Sequence, residues 1–202
     1  MLYQEEKLYI IVKKKSNNMK SLFNLFSILL ILQSCAPSLT QYQTASTLGE
    51  NQKSYTLAVE GGSEEAILSY RFLRGINKDT DFGLGFGINH YRHVGVGLNV
   101  KKSLIKDKLA LNIPIVVKGI GDTRFDFTPT ILYTINPGNQ KVKNTLSLQS
   151  ISYYDGEFET GAVYLSHNWQ LNLKKLFIYP EIGIEFYDSF YPKFGFAFTF
   201  KN

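Results

Sequence analysis

The sequence predicts an all-β chain, an antiparallel up-and-down β-barrel of about 8–10 strands. Three observations carry this. The apolar period from Tyr55 to Phe200 is two rather than 3.6. Short clusters of Gly, Asn, Asp and Pro divide the alternating runs at hairpin spacing. The glycines of those runs fall on the face opposite the large apolar side chains.

The strands follow from alternation, because neighbouring side chains of a strand point to opposite faces. Phe82, Leu84, Phe86 and Ile88 alternate with Gly83, Gly85, Gly87 and Asn89, and Val94, Val96, Leu98 and Val100 with Gly95, Gly97, Asn99 and Lys101. Leu109 to Val117 and Phe125 to Tyr133 continue the pattern. Ile178, Ile182, Ile184 and Phe186 then face away from Tyr179, Glu181, Gly183 and Glu185. The last run sets Phe194, Phe196, Phe198 and Phe200 against Lys193, Gly195, Ala197 and Thr199. Turns are expected at Gly61-Gly62-Ser63, Gly75 to Asp79, Lys106-Asp107, Gly119 to Asp122, Asn136-Pro-Gly-Asn139, Asp155-Gly156 and Asn172 to Lys175. Gly, Asn and Asp accept positive φ there, and Pro presets the bend.

A two-faced sheet of this kind has two homes. A soluble barrel or sandwich turns its apolar face inward; a transmembrane barrel turns it to lipid and keeps a polar lumen. Glycines on a solvent face would weaken strands without gain, whereas a narrow lumen needs small residues. Tyr91, Tyr133, Tyr153, Tyr154, Tyr187 and Tyr191 at strand ends fit interfacial girdles. The membrane barrel is therefore the favoured expectation. A soluble, lipocalin-like barrel with an apolar ligand is the alternative, and it requires the Phe row to point inward.

The end of the chain sharpens this. Lys193, Gly195, Phe198 and Phe200 stand in the order polar, any, Gly, two of any kind, aromatic, any, aromatic. That segment resembles the terminal assembly signal of outer-membrane barrels.

The start reads as an export signal. Leu22 to Leu32 is an apolar run after Lys20, far short of the roughly 20 residues that cross a bilayer as a helix. Leu32-Gln33-Ser34-Cys35 resembles the box of bacterial lipoprotein signals, cut before a cysteine whose thiol then carries lipid; Cys35 is the expected attachment residue. Ala36 in place of Asp implies, by the same resemblance, passage to the outer membrane. The expected divisions are 1–18 as an upstream extension or n-region, 19–34 as the signal peptide, 35–53 as a lipidated flexible tether and 54–202 as the barrel. The tether is read from its Ser, Thr and Gln content and its lack of apolar period.

Charge and composition exclude several classes. Five of the 22 basic and two of the 17 acidic residues precede Cys35, which leaves 17 against 15. So small an excess, without a basic cluster, makes no nucleic-acid surface. Cys35 is the only cysteine, so there is no disulfide framework and no cysteine nucleophile. His90 and His93 at a hairpin tip and Ser166-His167-Asn168 in a strand are the candidates for catalysis. Ser166 and His167, as strand neighbours, face opposite ways. No enzyme, cofactor or metal site is expected.

The layout of lipoprotein cysteine, short polar segment with Gln43-Thr-Ala-Ser-Thr-Leu-Gly49, and small barrel resembles uncharacterised lipidated outer-membrane barrel proteins of diderm bacteria. The resemblance implies a location and an architecture, with the membrane and the lipoprotein-processing and barrel-assembly machineries as partners. It implies no activity. Within the lumen, Glu181, Glu185 and Lys193 are expected to meet across one hairpin as a stabilising charge cluster, with Lys101 and Lys118 also inward. A narrow channel through a glycine-lined lumen is the remaining alternative.

Overall fold

A computed structural model describes residues 42–62, 66–89, 94–119, 124–154 and 157–202. Eleven strands form one sheet: β1 (Lys53–Gly62), β2 (Ala66–Asn77), β3 (Thr80–Asn89), β4 (Val94–Ile105), β5 (Leu109–Gly119), β6 (Arg124–Phe127), β7 (Thr130–Thr134), β8 (Val142–Tyr154), β9 (Phe158–Leu173), β10 (Leu176–Phe186) and β11 (Phe190–Lys201). Each pairs antiparallel with its neighbours, and β1 closes on β11, with Thr56 opposite Thr199 and Glu60 opposite Gly195. The result is a closed barrel of ten staves, because β6 and β7 are two halves of one, both lying between β5 and β8. The break falls at Thr128–Pro129. Proline has no N–H to give the ladder, and local bonds replace it: Thr128 N donates to Pro114 O and Ser150 N to Pro129 O.

The hairpin turns alternate between two ends of the barrel. One end holds the turns at 78–79, 106–108, 135–141 and 174–175 together with the strand termini, where Lys53 and Asn202 exchange backbone hydrogen bonds of 3.2 and 3.1 Å. Asp107 and Lys174 take φ of 59° and 60° in two of these turns. This is the terminus end. The opposite end carries the connections after β1, β3, β5, β8 and β10. Of the expected turns, Lys106-Asp107, Asn136 to Asn139 and Asn172 to Lys175 lie where the sequence put them, whereas 63, 120–122 and 155–156 lie outside the described residues.

The faces are inverted relative to a water-soluble barrel. Leu57, Val59, Leu84, Phe86, Val96, Leu98, Ile182, Ile184, Phe196, Phe198 and Phe200 are all exposed outward. Thr56, Glu60, Asp81, Asn99, Lys101, Asn112, Gln149, Asn168, Glu181 and Thr199 are buried inside. The lipocalin-like alternative needed the aliphatic and Phe row inside, and that row is outside.

Candidate functional site in the lumen

The lumen holds a piece of the chain itself. Tyr42, Gln43, Thr44 and Ala45 are buried within it, although the sequence placed them in a flexible tether. Five of its backbone polar atoms are bound to wall side chains. Arg71 Nη2 donates to Tyr42 O at 3.3 Å, and Asn168 Nδ2 to Gln43 O at 3.1 Å. Ala45 N donates to Thr134 Oγ1 at 3.0 Å, and Lys101 Nζ to Ser46 O at 2.7 Å. Leu48 N donates to both carboxylate oxygens of Asp81, at 3.0 and 3.2 Å. Wall side chains thus take up these backbone groups in the role a neighbouring strand would play.

Glycines make the space. A β-carbon at Gly195 would stand 1.5 Å from Tyr42 Oη, and one at Gly75 would stand 1.7 Å from Gly49 O. Gly183 clears the ring of Tyr164, and Gly83 clears Asn99 and Leu73. Gly83, Gly183 and Gly195 therefore give relief to large inward groups and to the plug.

Around the plug, polar groups close on one another. Lys101 pairs with Asp81 at 3.0 Å, Lys118 pairs with Asp126, and Lys193 pairs with Glu185. Thr56 meets Thr199 at 2.7 Å, Asn99 meets Asn112 at 3.0 Å and Thr134 meets Thr145 at 3.0 Å. Buried charges persist when paired and hydrogen-bonded in this way.

Of the residues singled out from sequence, Cys35, His90, His93 and Tyr91 lie outside the described residues. Lys193 and Gly195 face inward while Phe198 and Phe200 face out. The expected three-membered charge cluster divides. Lys193 takes Glu185, whereas Glu181 accepts from Tyr164 Oη at 3.2 Å. Register leaves both glutamates within reach, since Lys193 stands opposite Gly183, two residues from each. The Tyr164 ring, 5.3 Å from Lys193 Nζ, completes the group. Ser166 is inward against Ser147, and His167 is on the other face with its ring 4.2 Å from that of Trp169. Sequence reasoning missed Tyr42, Arg71 and Asp81 as plug contacts. The available signal was a large aromatic within a polar segment, matched to an inward glycine in the terminal strand.

No protein-family model matches the chain, and no curated protein matches it. A solved structure described as "De novo design of transmembrane beta-barrels" is similar, with a TM-score of 0.41 and 10% identity over 76% of this chain and 97% of that one.

Proposed function

We propose that the chain is a membrane-spanning barrel of the bacterial outer membrane, closed by its own N-terminal segment and also anchored by lipid on Cys35. Its role on this reading is structural or interactive at the cell envelope rather than catalytic. The inverted barrel carries the proposal. Phe196, Phe198 and Phe200 are 51%, 41% and 54% exposed while their strand neighbours Ala197 and Thr199 are 0% and 4% exposed. Apolar surface of this kind encircles the barrel from Leu57 on β1 to Phe200 on β11. Soluble monomers rarely expose a contiguous apolar patch above a few hundred Å², whereas lipid contact removes the cost. Strands of 10 to 16 residues, the broken stave aside, are long enough for the roughly 9–11 that span a tilted bilayer crossing.

Lys193, Gly195, Phe198 and Phe200 would be read by the assembly machinery on an unfolded chain, since in the barrel Gly195 is covered by Tyr42. An open channel is disfavoured on this reading, because residues 42–48 and the ion pairs of Lys101 and Lys193 occupy the lumen. The test is folding without the anchor. The Cys35→Ser chain lacking residues 19–34 should aggregate in plain buffer, and in detergent micelles it should fold to a species whose gel mobility changes on heating. Monomeric folding in buffer alone would refute the membrane reading.

A further inference from the structure

The charges outside the lumen divide by end. Cations that are dispersed along the sequence as turn residues are gathered in space, because an up-and-down barrel places alternate turns at one mouth. Each of the four turns at the terminus end carries an exposed lysine. Lys78 lies in the β2–β3 turn, Lys106 and Lys108 in the β4–β5 turn, Lys141 just before β8, and Lys174 and Lys175 in the β9–β10 turn. Lys53, Arg74 and Lys102 join them from the outward faces of β1, β2 and β4, with Lys53 opposite Arg74. Outside the lumen, the acidic residues described at this end are Glu50, Asp79 and the half-buried Asp107. At the opposite end, the exposed charged side chains that are described are Glu157, Glu159 and Asp188.

The collar is also left without counter-charge from within the protein. Among the described residues the ion pairs of Lys101, Lys118 and Lys193 all lie in the lumen, and none involves a collar cation. Arg74 Nη2 donates to the neutral Asn51 Oδ1 at 3.2 Å.

This ring borders the apolar belt directly. Tyr55, Phe72 and Val100 follow Lys53, Arg74 and Lys102 on the outward face, two residues and about 7 Å along each strand. The Tyr55 and Phe72 rings are 5.4 Å apart, and Lys108 Nζ lies 5.9 Å from the Tyr133 ring. Ile76, Leu104, Ile105, Ile135 and Leu173 are exposed in or beside the same turns. Cations on aliphatic stems, mixed with aromatic and apolar groups at the rim of a belt, match a lipid surface from chains to headgroups. A soluble polyanion would meet only one arc of the ring and leave those aliphatic side chains in water.

We propose that this collar binds phospholipids of net negative charge, seating their headgroup phosphates among the turn lysines, so that the barrel selects anionic lipid in the leaflet at its terminus end. The proposal rests on the membrane reading above. It adds that the two ends face unlike surfaces, one anionic and one not.

Trp169, the one tryptophan of the chain, supplies the test. It faces away from the lumen, since its strand neighbour Asn168 is buried inside, and it lies on β9 just before the Lys174–Lys175 turn. Acyl chains carrying bromine quench it when they pack beside that turn. The full chain is reconstituted into phosphatidylcholine vesicles in which an equal share of brominated lipid is either phosphatidylcholine or phosphatidylglycerol. Brominated phosphatidylglycerol should associate about fivefold more strongly, the effect of one cation at a charged lipid surface. The preference should disappear when Lys174→Asn is combined with Lys175→Gln; Asn tolerates the φ of 60° at residue 174. It should persist in Glu157→Gln at the opposite end. In the unaltered chain it should fade at about 1 M salt, where charges are screened beyond roughly 3 Å. Equal quenching by the two lipids, or a preference that survives both the substitutions and the salt, would overturn the proposal while the membrane reading stands. Equal quenching with an oligonucleotide retained on pure phosphatidylcholine vesicles would reassign the collar to a soluble polyanion. Quenching by neither lipid would refute the membrane reading, and the collar's role with it.

Discussion

Tyr42 and Gly195 are fitted to each other: a β-carbon on Gly195 would lie 1.5 Å from Tyr42 Oη and 2.7 Å from its ring. Gly195 thus has two constraints, one in the terminal signal and one as the socket for the plug. Gly195→Ala should force the tyrosine out of place and destabilise the folded barrel by about 1–3 kcal/mol, the usual cost of overpacking. In a Tyr42→Ala background the same change should be much milder, because the clash is gone. Thermal unfolding of the four proteins in detergent gives the cycle, and additive effects would mean that the two residues do not meet.

The pairing of Lys193 with Glu185 separates two carboxylates that the sequence treats alike. Glu185→Gln leaves a buried lysine without its counter-charge, a loss of about 3–5 kcal/mol for such pairs. Glu181→Gln keeps a group that accepts from Tyr164 Oη and should cost clearly less. Equal losses in the two variants would put Lys193 between both carboxylates, contrary to the structure.

These two cases mark how much the sequence made legible. Side-chain facing was readable throughout, because a strand's period of two sets face without reference to distant residues: Phe194 to Phe200 are outward of Lys193 to Thr199 as the alternation requires. Pairing across β10 and β11 was only half readable, since parity puts Glu181, Glu185 and Lys193 on one face, but Tyr164 from β9, which takes Glu181, is not visible in that hairpin's alternation. The stave number was left open because Pro129 splits one stave into β6 and β7. The plug was hidden for a chemical reason. Ser, Thr and Gln serve equally well to hydrogen-bond water in a tether or the lumen wall in a barrel, so composition does not distinguish the two.

The plug should hold the lumen closed. The wild-type protein in planar bilayers is expected to be electrically silent. Deleting residues 42–48 removes the groups bound by Arg71, Asn168, Lys101 and Asp81, and should give steady conductance. Asp81→Asn weakens the hold on Leu48 N and breaks the pair with Lys101, so brief openings are expected. A silent deletion variant that is folded and inserted would show that the wall side chains fill the lumen without the plug.

Lipid contact makes its own prediction at Phe196, which stands outward in the middle of β11 between Val59 of β1 and Pro180 of β10. An arginine there would place a charge near mid-depth of the apolar belt, where such substitutions cost about 2–4 kcal/mol in membrane barrels. Thr199→Ala removes one inward hydroxyl, bonded to Thr56 at 2.7 Å, and should cost about 1 kcal/mol. In water the order would be reversed, because an arginine on an exposed face is harmless and a buried hydroxyl pair is not. Refolding yields and unfolding midpoints of Phe196→Arg and Thr199→Ala in lipid vesicles therefore decide which medium surrounds the barrel. Normal folding of Phe196→Arg beside a damaged Thr199→Ala would place the Phe row in water.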